Sequence, residues 1–309
     1  MKQTLWKIGI VLLIVIGTDR GLGWYFDKKY ASNHFHYANG HLNYYLQKVH
    51  CDTLLLGSSR VLDGLVPQVF GPKTYSFAEA SKHLGWCASV LDLMQQYGRL
   101  PSKALIINIE PEDFLNESAN KLKSDIHYLK YYYDKNPFIQ SEINRSSPFE
   151  WVKYLSSLYR HNGNSLILLT NPWQQIGRLP TLNGYCPISP TPQDSVRTIQ
   201  DIDRAHYPKP VLNSSIAQHY LKHIKSICKK NHIELIVITA PFFKSSQRSV
   251  ECGRLFAKYL AKENTRYLNY IEKDIGELNQ LRFWFDNHHF VDAGAQKFSV
   301  LVKKDVQLP

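Results

Sequence analysis

In a chain of 309 residues, the first residues able to do chemistry are Gly57-Ser58-Ser59-Arg60, which close a short apolar run. A serine on a tight strand-to-helix turn projects its hydroxyl from the edge of a sheet, and its own N–H can face a developing oxyanion. The bland role for a serine there is a helix N-cap. A serine nucleophile also needs a base, and the base needs an orienting carboxylate. Near the C-terminus, Phe285-Asp286-Asn287-His288-His289-Phe290 offers both. Asp286 and His289, three residues apart, can share a hydrogen bond through Nδ1, which leaves Nε2 for a serine. His288 is the rival, and spacing does not choose between the two.

Other groups carry less. His34, His36 and His41 are metal ligands by type, but no carboxylate or cysteine stands beside them at ligand spacing. They read as surface or stalk residues, so no metal and no cofactor is expected. Glu110 and Glu112 have the residue types of a glycosidase pair, yet beside Pro111 at a strand end they read as helix caps. Cys51, Cys87, Cys186, Cys228 and Cys252 lie far apart with no C-x-x-C pair, which excludes zinc-ribbon and thioredoxin spacings.

The elements that must position these groups follow from the pattern of apolar runs. Asp52–Gly57, Thr74–Ala78, Lys103–Ile109, Glu234–Ala240 and Tyr267–Tyr270 are short runs ended by turn residues, as buried parallel strands are. Helices are expected over 81–97, 213–230, 247–263 and 292–304. Strands alternating with helices imply a parallel sheet covered on both faces, with ligands outside the carboxyl ends of the strands. That places the chemistry just after Gly57, Ile109 and Ala240. Residues 112–210 break the rhythm with turn signals at Asn136-Pro137, Asn171-Pro172 and Asn183-Gly184, and read as an insertion.

At the N-terminus, Lys2 and Lys7 precede an apolar run from Ile8 to Gly17, and no A-x-A site follows. Taken from Leu5 to Phe26, the segment reads as an uncleaved signal anchor, with Asp19 and Arg20 near the far interface and Trp24 and Tyr25 as belt aromatics. The expected organisation is therefore an anchor over 1–26, a stalk or first surface helix over 27–50, and one α/β domain over 51–309 with its insertion at about 112–210. The formal charge of +11 is spread along the chain without a basic-aromatic nucleic-acid motif, so nucleic acid is not an expected partner. An aromatic content of 13% and a hydrophobic content of 44% exclude a disordered chain.

Leu54-Leu-Leu-Gly-Ser-Ser-Arg60 and Asp286-x-x-His-Phe-x-x-x-Gly-Ala-x-x-Phe-Ser299 resemble the first and last blocks of SGNH/GDSL hydrolases. They are most similar to the membrane-anchored subgroup found beside cell-surface polysaccharide acylation, such as alginate acetylation proteins and the D-alanyl transfer protein of teichoic acid synthesis. Ile107–Phe114 and Ile233–Pro241 also look like that subgroup's strand ends. The resemblance covers residues 51–309 in outline, and the two end blocks are its specific part. It implies a flavodoxin-like three-layer sandwich, with Ser59 as nucleophile, His289 as base and Asp286 as its orienter. It further implies an extracytoplasmic esterase or O-acyltransferase acting on a cell-surface glycan, or a non-catalytic accessory to a multispanning acyltransferase. Two departures stand out. The second block, Tyr75–Ser81, has no glycine, so the backbone of Ala80 or Ser81 would have to face the oxyanion beside that of Ser59. The third block's Gly-x-Asn-Asp is absent, and Ile109-Glu110-Pro111-Glu112-Asp113 stands in its place.

Overall fold

The computed structural model describes residues 2–34, 39–170, 182–189 and 209–307. His36, the Asn171-Pro172 turn signal and much of the expected insertion lie outside them. The chain forms two compact units, one from Met1–Lys48 with Ile126–Gly177, the other from Val49–Asp125 with Arg178–Pro309. The expected insertion is thus divided. Its first residues stay with the sheet, while 126–177 join the N-terminal segment.

The second unit holds five strands: β1 (Thr53–Gly57), β2 (Thr74–Ala78), β3 (Ala104–Asn108), β4 (Glu234–Thr239) and β5 (Arg266–Asn269). All pair in parallel in the order β2-β1-β3-β4-β5, within a three-layer α/β arrangement. Every residue of β1, β2 and β3 is buried, which is why these runs are apolar on both faces rather than alternating. Leu55, Ile106, Ile236 and Ile238 meet Val61, Phe70, Phe298 and Val302 in one core cluster. The helices Leu84–Gln96 and Ser215–Lys230 pack on one another, the second of them started by Ser214, whose side chain accepts from the Ala217 N–H.

Chain order runs outward from β1 to β2 and then returns to β3 on the other side of β1. The reversal falls between β1 and β3, where doubly wound sheets open a crevice at their carboxyl ends. Ser59 stands at that point. At the far edge, the Ser76 N–H of β2 donates to the Asn183 carbonyl at 2.8 Å. Asn183 and Gly184 both take positive φ, 52° and 84°, and a Cβ on Gly184 would lie 1.8 Å from the Ser76 carbonyl oxygen. Asn183-Gly184 is therefore a turn, as its sequence predicts.

In the first unit, the helix Lys2–Ala31 is 30 residues long. No helix among the described residues is long and apolar enough to cross a membrane, which corrects the expected transmembrane anchor. The reason lies in Asp19 and Arg20. Rather than ending a span, they are bound to a chain segment: Asp19 accepts from the Ser156 hydroxyl at 2.5 Å and from the Ser157 and Leu158 N–H groups at 2.8 and 3.2 Å. Arg20 donates to Ser157 Oγ and to the Leu155 carbonyl. The residues from Leu5 to Ile16 are left exposed on every side.

The helix Gly40–Lys48, expected within a surface stalk, is instead largely buried, His41 included. It is fixed by Asn43, which donates to the Tyr30 carbonyl and accepts from the Tyr132 hydroxyl. Stacked pairs, Tyr30 on Tyr131 and Tyr133 on Tyr154, fill the same unit. Asn136-Pro137, a turn by its sequence, is a helix start: Asn136 accepts from the Ile139 N–H, and Pro137 takes the first helical position.

Candidate active site

The site begins with the turn after β1. Gly57 has φ +158°, and a Cβ there would stand 2.6 Å from Val61 Cγ2 and 3.3 Å from Asn108 Cβ. Only glycine lets the chain turn so close to β3. Ser58 is extended and makes no side-chain cap, so the N-cap role expected of this serine pair is not taken. Ser59 opens a four-residue helix, Ser59–Leu62, and its N–H therefore has no intrahelical acceptor.

The Ser59 hydroxyl donates to His289 Nε2 at 2.8 Å. His289 Nδ1 donates to Asp286 Oδ2, also at 2.8 Å. The other carboxylate oxygen, Asp286 Oδ1, accepts from the backbone N–H groups of His288 and His289 at 2.6 and 2.8 Å. Burial pushes the Asp286 carboxyl up. The hydrogen bonds from His289 Nδ1 and the two N–H groups outweigh it and hold the group at about 2. An ionised Asp286 keeps the proton on Nδ1 and leaves Nε2 as an acceptor. His288 does not reach the serine: its ring stands 5.2 Å from Phe242, and burial pushes its pKa down, with Arg60 adding to the effect. The choice that spacing left open falls to His289.

The His289 loop is held by a residue that sequence reasoning passed over. Asn287 is buried; its Oδ1 accepts from the Lys244 N–H at 2.8 Å and its Nδ2 donates to the Lys244 carbonyl at 3.1 Å. The Phe243 N–H donates to the Asn287 carbonyl, and the loop closes on itself from the Phe285 N–H to the His289 carbonyl. The loop after β4 thus sets the height of His289 above Ser59.

Arg60 was also missed. Its buried guanidinium donates to Glu110 Oε2 at 2.6 Å, to the Pro241 carbonyl at 2.6 Å and to the Ala240 carbonyl, and it lies over the Phe242 ring. Asn108 Nδ2 donates to Glu110 Oε1 at 2.8 Å, while its Oδ1 accepts from the Ala240 N–H at 2.8 Å. Glu110 is thus no helix cap. It bridges Arg60 and Asn108, and the three side chains join the carboxyl ends of β1, β3 and β4. The signal available in sequence was a buried-strand asparagine and an arginine directly after the nucleophile, neither informative without the partner loops.

These groups open on a cavity of about 420 Å³ lined by Ser59, His289, Ser81, His83, Glu112 and Lys121 among others. Ser81 has φ +58°, a left-handed conformation uncommon outside glycine, in the place where a glycine was missing from the sequence. Ala80 lies beside it, exposed in the same turn. Burial pushes Glu112 upward, and Glu110 adds to it. Asp63, at the end of the Ser59–Leu62 helix, is raised to about 6 by burial, partly offset by His289. As chemistry, the arrangement is a hydroxyl with a histidine nitrogen at hydrogen-bond distance, an ionised carboxylate behind that ring, and a cavity beside the hydroxyl.

No family model matches the chain, and no curated protein matches it. Among solved structures, a protein provisionally named a platelet activating factor from Streptococcus pneumonia aligns over 96% of this chain and 99% of its own, at 11% identity and a TM-score of 0.38. A protein provisionally named an arylesterase from Agrobacterium tumefaciens strain C58 aligns over 83% of this chain and 98% of its own, at 8% identity and a TM-score of 0.36. Both likenesses are distant, and the functional reading rests on the site.

Proposed function

We propose that the chain is a serine hydrolase or acyltransferase of the SGNH type, acting on acyl esters of an extracytoplasmic glycan. The observation that supports it is the unbroken relay from Ser59 Oγ to His289 Nε2 and from His289 Nδ1 to Asp286, with 2.8 Å at each bond. In the first step Ser59 Oγ forms a bond to the ester carbonyl carbon while its proton passes to His289 Nε2. The bond to the leaving alcohol then breaks, and the alcohol takes that proton. Water or a sugar hydroxyl next gives a proton to Nε2 and attacks the acyl-serine, and Ser59 regains its hydrogen as the bond to Oγ breaks. Asp286 stays ionised throughout and orients the imidazole.

The location is part of the same proposal. The exposed apolar residues from Ile8 to Ile16, preceded by Lys2 and Lys7, insert into a bilayer without crossing it and hold the catalytic unit at the outer face of a cell membrane. Co-flotation of the full chain with phosphatidylglycerol vesicles should depend on these residues; flotation unchanged by Leu12→Asp with Ile14→Asp removes the membrane from the reading.

The test of the chemistry is intact-mass labelling of the full chain with a fluorophosphonate, beside Ser59→Ala and His289→Ala. One adduct on the wild type, absent from both variants, is the expected result. A folded wild type that takes no adduct overturns the enzyme reading. It would favour the second one, an accessory protein of a membrane-bound acylation system, whose motivating observation is that the Asn108 amide is spent on Glu110 and Ala240 and donates nothing to the cavity.

A further inference from the structure

Attack on an ester leaves negative charge on the carbonyl oxygen, and donors to that oxygen are among the largest contributions to acyl transfer. The Ser59 N–H is one. Two side-chain donors of the cavity are engaged elsewhere: Arg60 by Glu110 and two carbonyls, Ser118 by the Glu112 carbonyl. One ring is held differently. His83 Nδ1 donates to Asp113 Oδ1 at 2.9 Å, and the Asp113 carboxylate is almost wholly buried. Its other oxygen accepts from the Leu84 N–H at 3.3 Å, and the His83 N–H itself donates to Asp125 Oδ2 at 2.8 Å. Backbone and ring are both pinned, at the start of the helix Leu84–Gln96. His83 lines the cavity that Ser59 and His289 also line. With Nδ1 turned to Asp113, Nε2 is its remaining polar atom, and no described residue takes it.

Topology strengthens the point. His83 follows β2 and Asp113 follows β3, and these strands flank β1 on its two sides. Their hydrogen bond therefore links the two loops that border the Ser59 turn. We infer that His83 is a further catalytic residue of the proposed reaction, its Nε2–H donating to the substrate carbonyl oxygen as that oxygen becomes negative. The inference rests on the triad reading and adds to it the donor whose place in the sequence is empty.

The charged groups around His83 favour the protonated ring. The hydrogen bond to Asp113 raises its pKa; burial opposes this, the charges of Asp113 and Asp125 support it, and Lys121 opposes it. Lys82, next in the chain, faces Glu79 and Asp125. A cationic donor would be lost as pH rises through the raised His83 pKa, so turnover should fall on the alkaline side.

The experiment is steady-state hydrolysis of p-nitrophenyl acetate by the full chain, wild type against His83→Ala and His83→Gln, with circular dichroism to show that each folds. His83→Ala should lower kcat by about 10²-fold with KM within about twofold, as loss of one oxyanion donor does. His83→Gln, whose amide can donate from a similar position, should recover part of kcat and abolish the alkaline fall. If His83→Gln does not fold, the wild-type pH profile decides alone: turnover flat on the alkaline side overturns the inference. Unchanged kcat in His83→Ala, or a loss confined to KM, overturns it while leaving the triad in place. A wild type that neither turns over nor takes the fluorophosphonate overturns the triad reading and this inference with it.

Discussion

Two of the three histidines that line the cavity are backed by an aspartate through Nδ1, and they differ in what stands before Nε2. His289 meets the Ser59 hydroxyl and is an acceptor. His83 meets no described residue and is available as a donor. The aspartates differ as well. Asp286 collects three hydrogen bonds within its own loop and sits at about 2. Asp113 comes from a different loop and is nearly inaccessible. Two more pairs, His161 with Asp27 and His223 with Asp92, bond at 2.8 Å through Nε2 instead. A histidine–aspartate pair is a means of orienting a ring. The group at the opposite nitrogen decides whether the ring is a base, a donor or a strut.

The comparison can be broken most severely at the base. Ser59→Ala or His289→Ala should lower kcat on p-nitrophenyl acetate by about 10⁶-fold, as in other triads where the members act as a unit; a loss below 10-fold would make His289 no more than a strut. Asp286→Asn should cost about 10⁴-fold by favouring the wrong tautomer, and the kcat of that variant should not be rescued by raising substrate. Asp113→Asn sharpens the contrast because it acts on the donor side. It should leave fluorophosphonate labelling of Ser59 in place and move the alkaline fall in kcat to lower pH, since a carboxylate no longer supports the imidazolium; an unmoved profile would separate His83 from Asp113.

The smallest expected effect concerns Asp63, which lies near both Asp286 and His289. Burial lifts its folded pKa to about 6, above the ordinary range of an aspartate. Such a raised carboxylate contributes stability fully below the unfolded pKa and loses it as pH rises through about 6. Asp63→Asn should therefore raise the urea midpoint at pH 7 relative to wild type and leave it nearly unchanged at pH 4. Equal midpoints at both pH values would mean that Asp63 is solvated.

The sheet was legible because each strand is a short apolar run closed by a turn residue, a signal that lies within a few consecutive positions. Thr74–Ala78 appears with its expected ends, and the other four strands within about two residues of them. The Asp286–His289 spacing was legible for the same reason. Arg60, Glu110, Asn108 and Asn287 were not, since their roles depend on partners from other strands, and His83 and Asp113 are separated by a whole helix and a whole strand. Local pattern also misled at His41, whose polarity suggested solvent although it is buried. At Asp19 and Arg20, charges that looked like a membrane boundary bind residues 155–158, far along the chain. The joining of 1–48 with 126–177 leaves no mark on composition.

The Asn183-Gly184 turn against β2 has a consequence for the molecule's behaviour in a crowded solution. A strand at the rim of a parallel sheet offers unpaired N–H and carbonyl groups to any extended chain that drifts past. Here the Ser76 N–H is already taken by Asn183, and the Gly184 backbone lies so close to the Ser76 carbonyl that even a methyl group would not fit. The rim nearest the strand that leads to Ser59 is thus sealed by the protein's own chain. A side chain at residue 184 would push that seal away, and the first symptom should be self-association rather than a change in the chemistry at Ser59.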